Sequence, residues 1–145
     1  MPASLSADII VNASPTKVLA AIAALEDYPL WSDTHKKFTI VSTDDMGRPT
    51  QAEASVTIGG KLDEQIISYV WTDNSVRTTL VTSSTGAMKS QETAYTVTPI
   101  GSGSRLTYEI TADPAIPAPG FLIKQGLKRT VTNATANLKR HIESS

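Results

Sequence analysis

The chain has 145 residues, with 13 lysines and arginines against 14 aspartates and glutamates, two histidines and no cysteine. That length suits one hydrophobic core, so a single domain over residues 1–145 is expected. The net charge of -1 without any basic run argues against a nucleic-acid partner, and the missing cysteines exclude disulfides, thiol catalysis and thiolate metal sites. No secretory leader is visible at the N-terminus and no apolar run approaches the length of a membrane span, so a cytoplasmic protein is the expectation.

Ile9, Ile10 and Val11 signal a first strand that ends at Asn12-Ala13. A helix start follows, because Ser14 can cap free backbone donors and Pro15 fits the first helical position, where its missing N–H costs nothing. Val18, Ile22 and Leu25 recur at helical spacing and define one buried face. Glu26-Asp27 are read as closing this helix, and Tyr28-Pro29 as forcing an extended exit, since the residue before proline is driven out of the helical region. Trp31 therefore sits at a bend, where a large aromatic either plugs the core or lines a pocket mouth.

Six strands are predicted next: Lys37 to Thr43, Gln51 to Ile58, Leu62 to Trp71, Val76 to Thr82, Met88 to Thr98 and Arg105 to Ala112. Between them lie hairpin signals such as Asp44-Asp45-Met46-Gly47, Gly59-Gly60 and Gly101-Ser102-Gly103. Leu106, Tyr108 and Ile110 alternate with Thr107, Glu109 and Thr111, so one face of the sheet is buried and the other is wet. The passage Asp113 to Gly120 is rich in proline and connects to a helix from about Phe121 to Ile142. Leu127, Val131, Ala134, Leu138 and Ile142 form a continuous apolar stripe on it, while Lys139, Arg140 and His141 oppose the negative end of the helix dipole.

A long helix leaves space over a strongly twisted sheet unless the sheet curls around it. The order strand, helix, meander, helix resembles the α+β helix-grip fold of the START and Bet v 1-like (SRPBCC) superfamily. The local sequence is similar to its bacterial polyketide cyclase/dehydrase and lipid-transport branch. The residues that carry the resemblance are Ala13-Ser14-Pro15 with Val18, Tyr28-Pro29-Leu30-Trp31, Leu106-Thr107-Tyr108-Glu109, Ile116 to Phe121, and Leu138-Lys139-Arg140. It spans essentially the whole chain. It implies a curved antiparallel sheet of six to seven strands around the C-terminal helix, with a cavity that holds sterols, lipids, polyketides or other apolar molecules in family members.

Tyr28, Trp31, Tyr69, Trp71, Tyr95 and Tyr108 combine apolar area with polar tips, and Phe121 and Leu122 open the helix that closes the space. Packing of the core is the alternative role for each aromatic, and Met88 can serve either purpose. Gln125 and Arg129 lie one turn apart beside the apolar stripe. Facing the cavity, they would hold a carbonyl and an anionic head group; exposure to solvent is the commoner fate of an arginine.

Catalytic candidates are few. His35, with Asp33 two residues away, is either an oriented proton acceptor or part of a solvated loop. Tyr108 and Arg129 are the remaining candidates, for proton transfer and for polarising a carbonyl. Asp63, Glu53, Glu64 and Glu92 are scattered, with no paired carboxylates, and two histidines do not make a metal site. No glycine-rich run stands between a strand and a helix as a phosphate loop requires, so no cofactor is expected. Thr78 or Thr79 either widens the pocket or simply suits a strand. The expected function is binding or carriage of an apolar or amphipathic small molecule. The alternatives are a cofactor-independent polyketide cyclase or dehydratase in the same cavity, and a protein-interaction module with a filled interior.

Overall fold

The computed structural model describes residues 3–58, 60–115 and 117–144. Gly59 of the Gly59-Gly60 turn, Ile116 of the connector, and the end residues Met1, Pro2 and Ser145 lie outside the described residues. The chain runs as β1 (Ala3–Val11), α1 (Pro15–Ala23), a 3-10 turn (Leu25–Leu30), β2 (His35–Thr43), β3 (Pro49–Ile58), β4 (Lys61–Trp71), β5 (Ser75–Ser83), β6 (Met88–Ile100), β7 (Gly103–Pro114) and α2 (Gly120–Glu143). All seven strands form one antiparallel sheet in the order β1-β7-β6-β5-β4-β3-β2. Sequence neighbours pair throughout the meander, and β1 returns to the far edge beside β7.

Local chemistry sets the start of α1. Ser14 is extended and its Oγ accepts a hydrogen bond from the Lys17 backbone N–H at 3.3 Å, with Pro15 in the first helical position. The helix stops at Ala23, two residues earlier than the apolar spacing suggests. Leu25 is still buried, but Glu26, Asp27 and Tyr28-Pro29 lie in the 3-10 turn, whose tighter winding admits Pro29.

Every strand extends beyond the range read from the sequence, the start of β1 and the end of β7 among them. β1 begins at Ala3 because Ala3, Leu5, Ala7 and Ile9 alternate with exposed residues and pair with β7 from Ala112 to Leu106, although only the last three residues form an apolar run. β7 runs on to Pro114, since Asp113 and Pro114 pair with Ser90 and Met88; the connector to α2 is correspondingly shorter. At the other end of β7, Gly103 closes against β1. A Cβ there would lie 2.7 Å from the Val11 carbonyl oxygen, so the approach requires glycine.

The stripe predicted on α2 is the face that packs: Val131, Leu138 and Ile142 are buried, together with Thr135. The C-terminal end of α2 is clamped to β1. Glu143 Oε2 accepts from the Asn12 backbone N–H at 2.7 Å and from Lys139 Nζ at 3.0 Å, while Lys139 also donates to the Ile10 carbonyl. At this end the interior is sealed, with Val11, Val18, Leu25 and Leu106 fully buried around Ile22, Val97, Leu138 and Ile142. A smaller cluster of Tyr108, Ile110, Ala112 and Val131 lies further along, with Met88 and Leu127 against it, and Tyr95 packs on both clusters.

Candidate ligand-binding site

Because side chains alternate across a strand, the register of β4 to β7 fixes which residues meet on the concave face. Trp71, Val76, Tyr95 and Tyr108 occupy one row across the four strands, and Tyr69, Thr78, Thr93 and Ile110 the next. The Tyr95 and Tyr108 rings stack with centroids 4.8 Å apart. Thr78 and Thr93 hydrogen-bond to each other through their hydroxyls and are buried. Tyr28 enters the same space from the 3-10 turn, and its Oη donates to the Ile22 carbonyl at 2.7 Å.

Four tyrosines from four elements thus converge inside the grip. Burial drives the Tyr28 and Tyr108 hydroxyls well above the usual tyrosine range, reinforced by their proximity to Tyr95. Burial also raises Tyr69, with Tyr95 adding to the effect. Tyr95, between the Tyr28 and Tyr108 hydroxyls, is pushed up to about 12 by burial, which these two neighbours partly offset. All four are neutral at physiological pH. They are hydrogen-bond donors and poor proton acceptors.

A second polar group lies on the same face of β4, at Asp63 and Gln65. Asp63 is fully buried and has no cationic partner among the described residues. Burial would raise its pKa, but hydrogen bonds from the Thr85 backbone, Gln65, the Thr85 hydroxyl and Ser83 outweigh that and hold it at about 2. The contacts are 2.9 Å from Thr85 N, 2.9 Å from Gln65 Nε2, 2.7 Å from Thr85 Oγ1 and 2.7 Å from Ser83 Oγ. Only the amide nitrogen of Gln65 can donate to a carboxylate, so Asp63 fixes the orientation of that amide. Gln65 Oε1 is left as an acceptor without a partner among the described residues, and it is not sealed off by its neighbours.

His35 is placed differently from the solvated loop that its polar flanks suggest. It begins β2, stacks on Phe38 at 5.2 Å and meets the Tyr28 ring edge-on at 5.8 Å. Burial lowers its pKa to about 4, so the imidazole is neutral at pH 7. Its orienting partner is Ser32, whose Oγ lies 2.6 Å from Nδ1, while Asp33 is exposed. Ser32 Oγ already accepts from the His35 backbone N–H at 3.3 Å, which favours donation of its own hydrogen to Nδ1 and leaves the ring proton on Nε2. Trp31 packs beside Tyr28 with ring centroids 4.7 Å apart, and its indole N–H is buried without an acceptor among the described residues.

The model of the polyketide cyclase/dehydrase and lipid transport family matches residues 2–143. The chain belongs to that family. No curated protein matches it. Among solved structures it is similar to a START superfamily protein from Mycobacterium smegmatis, with 23% identity, 97% of each chain covered and a TM-score of 0.89. It also resembles the protein TTHA0849 from Thermus thermophilus, with 17% identity, 98% of each chain covered and a TM-score of 0.79. The ZhuI aromatase/cyclase from Streptomyces sp. R1128 matches at 8% identity over 99% of this chain and 93% of that one, with a TM-score of 0.77. At these identities the likeness establishes the START/Bet v 1 helix-grip fold.

The remaining candidates of this polyketide cyclase/dehydrase family member fall outside the tyrosine row or at its edge. Trp71 shares the row, but its indole N–H is already bonded to the Pro49 carbonyl at 2.7 Å and the Arg48 guanidinium lies 5.6 Å from its ring centre. Met88 is half-buried at the start of β6 beside the Tyr108 cluster. Phe121 is 71% exposed and Leu122 47% exposed. Gln125 and Arg129 are exposed as well. Helical rotation accounts for this: the face of α2 that packs is set by Val131, Leu138 and Ile142, and a residue two positions from Val131 or six from it points elsewhere. Thr78 faces in and Thr79 faces out.

Sequence reasoning did not single out Gln65, Thr93 or Ser32, and it grouped Asp63 with the scattered acids. A signal was present for two of them: Asp63 and Gln65 fall on the same alternating face of β4 as Tyr69. No group of three or more metal-ligating side chains occurs among the described residues.

Proposed function

We propose that this protein binds an amphipathic small molecule with an apolar body and oxygen acceptors, of lipid or polyketide type, on the concave face of the grip and carries it away from water. The observation that supports this most is the convergence of the neutral Tyr69, Tyr95 and Tyr108 hydroxyls on an apolar wall of Ile67, Leu80, Met88 and Ile110. Such a surface offers burial for a hydrocarbon or ring system and donors for carbonyl or hydroxyl oxygens. The free carbonyl oxygen of Gln65 adds one acceptor for a ligand hydroxyl. Arg129, being exposed, has no part in this reading.

Native mass spectrometry of freshly purified protein, followed by organic extraction, tests the proposal. A stoichiometric apolar adduct that is lost in Tyr69→Phe/Tyr95→Phe, with unfolding unchanged, supports it. A clean mass that resists lipids and polyketide analogues sinks it and favours a protein-interaction module.

One observation favours a second reading, a cofactor-independent cyclase or dehydratase. A neutral imidazole held through Nδ1 by Ser32 at the edge of the tyrosine cluster carries its ring proton on Nε2, a hydrogen-bond donor that can polarise a substrate carbonyl. Under that reading His35→Asn abolishes turnover of an added polyketide analogue while leaving its binding within a few fold; a pure carrier shows no turnover in either protein.

A further inference from the structure

Beyond the interior, the first three turns of α2 carry a combination of groups that the fold does not use. Phe121 and Leu122 open the helix with 71% and 47% of their surface exposed, and Pro117 and Pro119 immediately before them are exposed too. At 100° per residue, Phe121, Leu122, Gln125, Lys128 and Arg129 fall within one arc of about 120°, and each is exposed. Lys128 and Arg129 stand about 10 Å along the axis from the aromatic tip. They and Lys124 are exposed and, among the described residues, make neither ion pairs nor side-chain hydrogen bonds, in contrast to Lys139 and Arg140 at the clamped end.

Charge is distributed unevenly as well. α2 holds five lysines and arginines and one acid, Glu143, so its net charge is +4 while the rest of the chain, at -1 overall, carries -5. A cavity of about 280 Å³ between the start of β6, the connector and Ile123 is lined by one cation, Lys89, and one acid, Asp113, so it leaves the positive charge of the tip with α2. An exposed aromatic and leucine at a helix tip, backed by cations at head-group distance, match an interface with apolar depth and negative charge at its surface.

We propose that residues 117–129, the end of the connector and the first three turns of α2, form a docking tip for an anionic lipid bilayer, with Phe121 and Leu122 entering the acyl boundary and Lys124, Lys128 and Arg129 at the phosphates. This surface is separate from the tyrosine-lined interior, and the proposal stands whether or not a ligand is carried.

Co-sedimentation of the full chain with vesicles tests it. Vesicles of phosphatidylcholine containing about 30 mol% phosphatidylglycerol, a composition on the order of an anionic leaflet, should retain the protein at low salt and release it as salt rises. Pure phosphatidylcholine vesicles should retain far less. Lys128→Gln/Arg129→Gln should weaken binding about 30-fold, from roughly tenfold or less per cation near the surface. Phe121→Ser/Leu122→Ser should abolish binding, with unchanged thermal unfolding because both side chains are exposed. Equal retention by neutral and anionic vesicles, indifference to these four substitutions, or no retention at all would overturn the proposal. So would a concentration-dependent dimer that Phe121→Ser dissolves in a protein that ignores vesicles, since the tip would then meet a second copy of the chain.

Discussion

The Tyr28 hydroxyl donates to the Ile22 carbonyl at 2.7 Å, tying the 3-10 turn back to the last turn of α1. That bond holds the Tyr28 ring between Trp31 and Phe38, at the boundary between the sealed end of the core and the tyrosine row. Tyr28→Phe removes the donor and leaves a buried carbonyl without it. We expect a loss of about 1–2 kcal/mol in urea unfolding, with the m-value unchanged. A variant as stable as the parent would show that the bond contributes nothing net.

His35 gives a pH dependence with a defined sign. Its folded pKa is about 4 against an ordinary 6.5, so between those values the unfolded chain binds a proton that the folded protein does not. Stability is therefore complete above about pH 6.5 and falls as the pH drops toward 4, by up to about 3 kcal/mol. His35→Asn should flatten the pH profile of urea midpoints across that window. A slope that survives the substitution would assign it to another group.

Asp63 acts at lower pH. Its carboxyl is held at about 2 by donors from Thr85, Gln65 and Ser83, so its contribution is present above the ordinary carboxylate range and lost as pH falls toward 2. Asp63→Asn turns two acceptors into one acceptor and one donor facing donors. We expect a cost of about 2–3 kcal/mol at about pH 7 and local loosening of the β5–β6 turn, read by amide exchange at Thr85.

Gly103→Ala tests the close approach of β7 to β1. The added methyl group would meet the Val11 carbonyl oxygen, which is backbone and cannot swing aside, and strand separation should cost about 1–3 kcal/mol in thermal or urea unfolding. Gly126→Ala is the control: nothing lies within 4 Å of its added Cβ, and helix propensity should make it neutral or stabilising.

Tyr95→Phe bears on the site. Its hydroxyl sits between those of Tyr28 and Tyr108, and no backbone group among the described residues holds it. Stability should change by less than about 1 kcal/mol, while affinity for an oxygenated ligand should fall roughly tenfold relative to a hydrocarbon analogue of the same size. Equal losses for both ligands would mean that the ring packs against the ligand and the hydroxyl does not bind it.

Much of the frame was legible along the chain because its determinants are local. Ser14-Pro15 sets the start of α1, alternation sets the faces of β3 and β7, and the four-and-three spacing from Leu127 to Ile142 sets the buried stripe of α2. The strand ends were less legible, since β1 is held by pairing with β7 and not by its own hydrophobicity. Site composition was partly legible: the tyrosines have the right chemistry, but nothing local distinguishes Tyr95 and Tyr108, which stack, from Trp71, whose indole is already bonded to Pro49.

By itself, the sequence determined the element order, the antiparallel meander and the apolar face of the closing helix, because each follows from backbone propensity and side-chain period within a few residues. Only the tertiary structure decided that His35 is half-buried and stacked on Phe38, that Asp63 is satisfied by a turn some twenty residues away, and that Gln125 and Arg129 face outward. Those outcomes depend on strand register and on the rotation of α2 about its axis. Both are fixed by contacts between residues far apart in the chain, which no local pattern encodes.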